Sequence, residues 1–322
     1  MLSLETSKLS KALILPSIQS PLGALPARFR RPRVLIVGCG DVGMRVAGLL
    51  GASSRLLALT RSVQKADVLR EQGITALQGN LDQPFTLRRL AGVATHVVHM
   101  APPPLEGRTD PRTRALVQAL RRRSLPAVLI YGSTTGVYGD CAGEWVDEVR
   151  QLQPQTVRAQ RRVDAQAWID YLGKTGHTRT QVLRIPGIYA LDREGGTPRE
   201  RLLRGTPVLQ ASEDVYTNHI HADDLARATV LALWRGKPLR AVNVCDHTDM
   251  KMGDYMDSVA AMWDLAPPPR ISRAQAQDQL TPMVMSFLNE SRRIRADRMR
   301  QELGLRLRYP TVLDGLQADK QN

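Results

Sequence analysis

Arg33-Val34-Leu35-Ile36-Val37-Gly38-Cys39-Gly40-Asp41-Val42-Gly43-Met44-Arg45-Val46-Ala47 is the stretch that decides the fold. β-Branched and aliphatic residues run into a Gly-x-Gly-x-x-Gly turn, and the residues beyond it carry apolar side chains at helical spacing. The pattern predicts a strand, a tight turn and a helix. Gly38 permits the bend, Gly40 lets the main chain approach a diphosphate with no side chain in the way, and Gly43 lets the helix pack close to the strand. Asp41 and Val42 open that helix, whose amides and positive dipole end face the same place. A unit of this kind holds a dinucleotide; the alternative is a turn with a structural role alone.

Outward from this unit, strand and helix alternate. Arg55-Leu56-Leu57-Ala58-Leu59-Thr60 reads as a second strand, ending about twenty residues after the glycine turn, where this architecture recognises the adenosine ribose. An acid there would accept a hydrogen bond from the 2′-hydroxyl of NAD, but the chain has Thr60, Arg61 and Ser62. Arg61 can pair with a 2′-phosphate, so NADP is expected in preference to NAD; the alternative is an arginine that simply lies in solvent. A third strand over 74–78 leads to Gly79-Asn80-Leu81-Asp82, which places Asn80 and Leu81 to flank the adenine. The fourth, His96-Val97-Val98-His99-Met100, is ended by Ala101-Pro102-Pro103-Pro104, a loop beside the cofactor or a mere linker.

Helices over 86–90, 111–123 and 156–172 interleave with a fifth strand over 127–131 and a sixth over 180–185, closed by Pro186. The fold class expected is therefore α/β, a Rossmann doubly wound parallel sheet with right-handed crossovers. Residues 32–190 form its dinucleotide-binding part. From there the alternation weakens into a smaller substrate-side region, 191–318, with a strand near 241–245 returning to the sheet and helices over 222–234, 252–263, 273–280 and 291–303. Residues 1–31, basic and nearly free of acids, read as a disordered extension, with an organelle-targeting segment as the alternative.

At 322 residues the chain is long enough for a large core, and 43% hydrophobic with 24% charged residues is the composition of an ordinary globular protein. No apolar run is long enough to cross a bilayer, so no membrane partner is expected. Cys39, Cys141 and Cys245 lie far apart with no Cys-x-x-Cys pair, which argues against a disulfide framework and a zinc site and for the reducing cytoplasm. The net charge of +14 is dispersed over Arg121-Arg122-Arg123, Arg161-Arg162 and Arg292-Arg293 without interleaved aromatics, so no specific nucleic acid is expected. His219 and His221, two apart on a strand, point to opposite faces and cannot share a metal; none is expected. A phosphorylated or nucleotide-linked substrate would give Arg292 or Arg293 a role, against the alternative of an exposed helix face.

Four segments together resemble the extended short-chain dehydrogenases/reductases, the NAD-dependent epimerase/dehydratase family. They are the glycine turn, Ser133-Thr134-Thr135-Gly136-Val137-Tyr138-Gly139, Leu183-Arg184-Ile185-Pro186-Gly187-Ile188-Tyr189, and Asn218-His219-Ile220-His221-Ala222-Asp223-Asp224-Leu225-Ala226. The spacing of the glycines is similar to the atypical branch. The resemblance implies hydride transfer to or from a nicotinamide on a sugar-like or carbonyl substrate, such as a nucleotide-linked sugar, in a chain able to form a homodimer. It places the reactive hydroxyl at Thr134, with Ser133 the near alternative, and a cofactor contact at Pro186. The family's Tyr-x-x-x-Lys pair is missing. Its pattern laid on Pro154-Gln155-Thr156-Val157-Arg158-Ala159-Gln160-Arg161-Arg162 puts Arg158 on the tyrosine and Arg162 on the lysine. Arginine stays protonated and cannot trade a proton as tyrosine does, though Arg162 can still hold a ribose hydroxyl. Tyr138 is the substitute acid/base candidate, with structural packing as its alternative. A non-catalytic dinucleotide sensor is the opposing functional expectation.

Overall fold

The computed structural model describes residues 31–321, so the extension expected over 1–31 lies outside the described residues except for Arg31. Seven strands form the central sheet: β1 (Arg33–Val37), β2 (Arg55–Thr60), β3 (Thr75–Gln78), β4 (His96–His99), β5 (Val128–Thr134), β6 (Arg179–Ile185) and β7 (Arg240–Asn243). Their order is β7-β6-β5-β4-β1-β2-β3, and every pairing is parallel. The direction of winding reverses between β1 and β4, which opens a crevice at the carboxyl ends of those two strands.

The sequence of β1 explains why the sheet is covered on both sides. Side chains alternate along a strand, so a run that is apolar at every position needs a core on each face. Val34 and Ile36 enter one core with Val98, Ile130 and Val242, while Leu35 and Val37 enter the other with Val97 and Leu129. Helices α1 (Asp41–Leu50), α2 (Val63–Glu71), α3 (Pro111–Leu120), α4 (Val157–Gly176) and α5 (Ala222–Arg235) supply much of the cover. Val46 and Leu50 of α1 and Leu225 and Leu233 of α5 close the first core; Leu116 and Leu120 of α3 and Ile169 and Leu172 of α4 close the second. Four of these helices begin at side-chain caps: Ser62, Asp110, Thr156 and His221 accept from the amides of Lys65, Thr113, Ala159 and Asp223.

A third, smaller core gathers Tyr189, Leu202, Val208, Tyr255, Met256 and Val312 beyond the carboxyl edge of the sheet. Two expectations about helices change. The segment over 86–90 is a 3-10 stretch, Pro84–Leu90, with a proline at its start. The helix expected over 291–303 is only Asp297–Gln301, because Arg293–Ile294 instead pairs in parallel with Trp145–Val146. The amides of Arg293 and Arg295 donate to the Glu144 and Val146 carbonyls at 2.9 and 2.8 Å, and the Arg293 guanidinium sits over the Trp145 and Tyr216 rings. These long-range partners outweigh the segment's helical spacing. Among the described residues no helix is long and apolar enough to cross a membrane.

Candidate functional site

The three glycines after β1 do separate work. Gly38 has φ +89°, and a Cβ there would lie 2.3 Å from the Ala101 amide nitrogen, so the chain leaving β4 presses directly on this residue. The amides of Met100 and Ala101 donate to the Val37 carbonyl at 2.7 and 3.0 Å, which fixes the start of the proline loop beside the turn. Gly43 lets α1 touch the turn, since its Cβ would stand 2.8 Å from the Gly38 carbonyl oxygen. Gly40 is the opposite case. Apart from its own chain neighbours, no atom of the described residues comes within 4 Å of a Cβ built there, because Gly40 opens onto a cleft. A cradle that a side chain would fill is what a dinucleotide diphosphate requires, so the residues present fit that cofactor.

The cleft measures about 320 Å³ and is walled by Gly38, Gly40, Asp41, Val42 and Gly43 on one side and by Gly132, Ser133 and Thr134 on the other. It joins a larger cleft of about 720 Å³ through Thr134, Arg162, Pro186, Ile188 and Arg193, which line both. Thr60 and Arg61 line neither cleft; at the end of β2, Thr60 Oγ1 accepts from the Ser62 amide at 3.2 Å, and Arg61 is exposed between them. Arg112 grips Asp82 with two bonds of 2.7 Å and also donates to the Pro102 and Pro103 carbonyls, tying the proline loop to the 80–82 turn. That contact, with Arg61 adding to it, holds the Asp82 carboxyl below its usual range. Asn80 uses its side chain locally, accepting from the Asp82 amide at 3.0 Å, and Leu81 packs against the second core.

The hydroxyl candidates part company. Thr134 Oγ1 accepts from the Gly136 amide at 3.2 Å, and the residue lines both clefts. Ser133 is buried and accepts from Gln166 at 2.6 Å. Tyr138 is 1% exposed and lines neither cleft. Its hydroxyl donates to Asn243 at 2.7 Å and accepts from Arg184 at 2.8 Å, and burial raises its pKa. The structure thus gives Tyr138 the surroundings of a packing residue.

Arg158 and Arg162 stand one turn apart on α4. Arg162 donates to the Tyr131 hydroxyl and the Gly132 carbonyl at 3.0 and 2.9 Å, which brings it to the wall of both clefts. The Arg158 guanidinium lies over the Phe287 ring at 4.6 Å. Burial lowers its pKa, and Arg162, Arg161 and Arg292 act in the same direction against Glu290. Arg292 is buried in the larger cleft and donates to the Gly139 carbonyl and to Glu290, at 2.7 and 2.8 Å, whereas Arg293 stacks outside it.

Three cleft residues carry no local signal in the sequence. Glu290 brings a carboxylate next to Gly136, where a Cβ would be 3.7 Å from its Oε2; its Oε1 is buried with no partner among the described residues. Arg201 has a buried Nε in the same condition, and desolvation lowers its pKa. Arg193 bonds Asp41 across the mouth of the smaller cleft. Only the awkward charge of Asp41 within the glycine turn points to a cation there.

Residues 34–101 match the TrkA-N domain family. No curated protein matches the sequence. Among solved structures, a functionally unknown conserved protein from Silicibacter pomeroyi is 28% identical, with 90% of this chain and 98% of that one covered and a TM-score of 0.75. A putative NAD-dependent epimerase/dehydratase from Methylobacillus flagellatus is 23% identical over 90% and 98% of the two chains, with a TM-score of 0.68. MoeE5, solved in complex with UDP-glucose and NAD, is 17% identical over 90% and 97%, with a TM-score of 0.71.

Proposed function

We propose that this chain, which has the fold of the NAD-dependent epimerase/dehydratase family, is a nicotinamide-dinucleotide-dependent oxidoreductase or epimerase acting on a carbonyl or sugar-like substrate. The observation that carries the reading is Gly40, a side-chain-free position opening on a cleft that also holds Thr134 and Arg162. Bound there, the cofactor would accept or return a hydride. Gly38, Gly40 and the opening amides of α1 hold its diphosphate, and Arg162 holds a ribose hydroxyl. Thr134 donates a hydrogen bond to the reacting oxygen. Arg61 supports NADP in preference to NAD. The larger cleft, with Arg158, Arg201 and Arg292 on its walls, suits a substrate carrying negative charge; a nucleotide-linked sugar of the kind bound by MoeE5 is such a ligand.

A second reading, a dinucleotide-binding sensor without turnover, is favoured by one observation: arginines occupy both places where the family carries its tyrosine and lysine. The two readings separate in one experiment. The protein is incubated with NADP or NAD and a panel of alcohols, aldehydes and nucleotide sugars, following absorbance at 340 nm and, for internally returned hydride, product epimers by chromatography. Turnover of any panel member establishes the enzyme; tight cofactor binding with no turnover on either readout establishes the sensor.

A further inference from the structure

Asp41 is an unexpected residue for its place. It opens α1, directly after Gly40, and lines the smaller cleft, to which the diphosphate of a dinucleotide would bring a second negative charge. Like charges sharing a cleft repel, and water screens them less there than in bulk solvent. Two arginines answer this charge. Arg45, one turn along the same helix, donates to Asp41 at 3.0 Å and also to Asp192 and Asp223, each at 2.5 Å. Arg193 reaches the other Asp41 oxygen from the far side of the cleft.

Arg193 arrives on a loop of the substrate-side region, between the short strand Gly187–Tyr189 and the helix Arg199–Leu203. That loop is a compact turn. The Gly196 amide donates to the Arg193 carbonyl at 2.9 Å, and a Cβ on Gly196 would fall 2.4 Å from the Ala190 carbonyl oxygen. Arg45 pins it to α1 through Asp192, so the Arg193 guanidinium is held over the glycine turn at the wall shared by both clefts. Around the turn, Asp41, Asp192 and Asp223 already outnumber Arg45 and Arg193. A diphosphate adds further negative charge, and Arg193 is the guanidinium that has Asp41 as its ion-pair partner and also borders the open cleft.

We infer that Arg193 is a cofactor-binding residue, which leaves Asp41 and takes the diphosphate when the dinucleotide enters, so that the substrate-side loop clasps the cofactor. Resting on the dinucleotide reading above, this assigns Asp41 the part of a competitor for Arg193. A guanidinium presents paired donors that match phosphate oxygens as well as a carboxylate, so the exchange keeps its hydrogen bonds.

Arg193→Gln and Asp41→Asn test the assignment, because each breaks the same ion pair. If the pair only pins the loop, both variants shift cofactor affinity in the same direction. If Arg193 binds the diphosphate, the effects have opposite signs: Arg193→Gln weakens NADPH and NADH by about tenfold or more, Asp41→Asn tightens them by roughly threefold, and Arg193→Lys recovers part of the loss. Affinities are read by fluorescence titration with NADPH and NADH and by calorimetry with ADP-ribose, with adenosine as the ligand lacking phosphate. The Arg193→Gln loss should persist with ADP-ribose and vanish with adenosine, and melting temperatures of both variants should match the parent. Equal signs, or no change with ADP-ribose, overturn the role of Arg193. A parent protein that binds neither NADPH nor NADH overturns the dinucleotide reading itself.

Discussion

The Tyr138 hydroxyl donates to Oδ1 of Asn243 at 2.7 Å, linking the loop after β5 to the edge strand β7 across the intervening β6. Arg184 of β6 completes the node by donating to the same hydroxyl at 2.8 Å, while Asn243 donates onward to the Arg295 carbonyl at 2.9 Å. Tyr138, Arg184 and Asn243 are all buried, so a phenylalanine would take a hydrogen-bond partner from both Arg184 and Asn243. Tyr138→Phe is expected to cost about 1–3 kcal/mol of stability and to leave cofactor affinity unchanged. Denaturant unfolding paired with an NADPH titration checks this. Unchanged stability with lost affinity would make Tyr138 a cofactor-binding residue instead.

Arg61 follows β2 with its side chain in solvent, and its positive field reaches Asp82. Pairing with a 2′-phosphate is a charge-assisted contact, so NADPH should bind more tightly than NADH. Arg61→Ala should weaken NADPH by about tenfold and barely touch NADH. The two dissociation constants measured on parent and variant decide the matter; equal losses for both cofactors would mean that Arg61 does not read the phosphate.

Asp246 supplies a pH test. It is 3% exposed, Oδ1 accepts from the Thr248 amide at 2.9 Å, and Oδ2 is buried without a partner among the described residues. Burial lifts its carboxyl to about 7. The unfolded chain loses that proton near pH 4 and the folded chain only near pH 7, so Asp246 drains stability as pH rises between those values. His99 and His219, lowered to about 3 by burial, act in the other direction: their contribution is full above about pH 6.5 and is lost as pH falls toward 3. The Asp246→Asn variant keeps both histidines, so they cancel in the comparison. Its stability relative to the parent should climb between pH 4 and pH 7 and then level off, by an amount on the order of a few kcal/mol. A difference independent of pH would contradict the burial argument.

How much of this was legible in the sequence follows the range of the interactions. The glycine turn and the apolar strands report themselves, because a tight bend and two-faced burial are demands on neighbouring residues. Thr134 is singled out by the resemblance of its segment to a known family, not by periodicity. The segment around Arg293 was misread as helix because its partner, Trp145–Val146, lies far away in the chain. Glu290 and Arg193 stayed hidden for the same reason. Each gains its position by folding back on a distant turn, Glu290 beside Gly136 and Arg193 on Asp41, and no periodicity encodes such a contact. Tyr138 could be weighed from sequence but not decided, since its surroundings depend on Arg184 and Asn243 of two other strands.

Gly40 gives the most direct test of the account. Apart from its chain neighbours, a Cβ there meets no atom within 4 Å among the described residues, so Gly40→Ala fits the fold and fills only the cradle. We expect the parent to bind NADPH or NADH and Gly40→Ala to bind at least about tenfold more weakly, with the same melting temperature in the absence of cofactor. An alanine variant that binds as tightly as the parent would show that the glycine turn does not hold a dinucleotide.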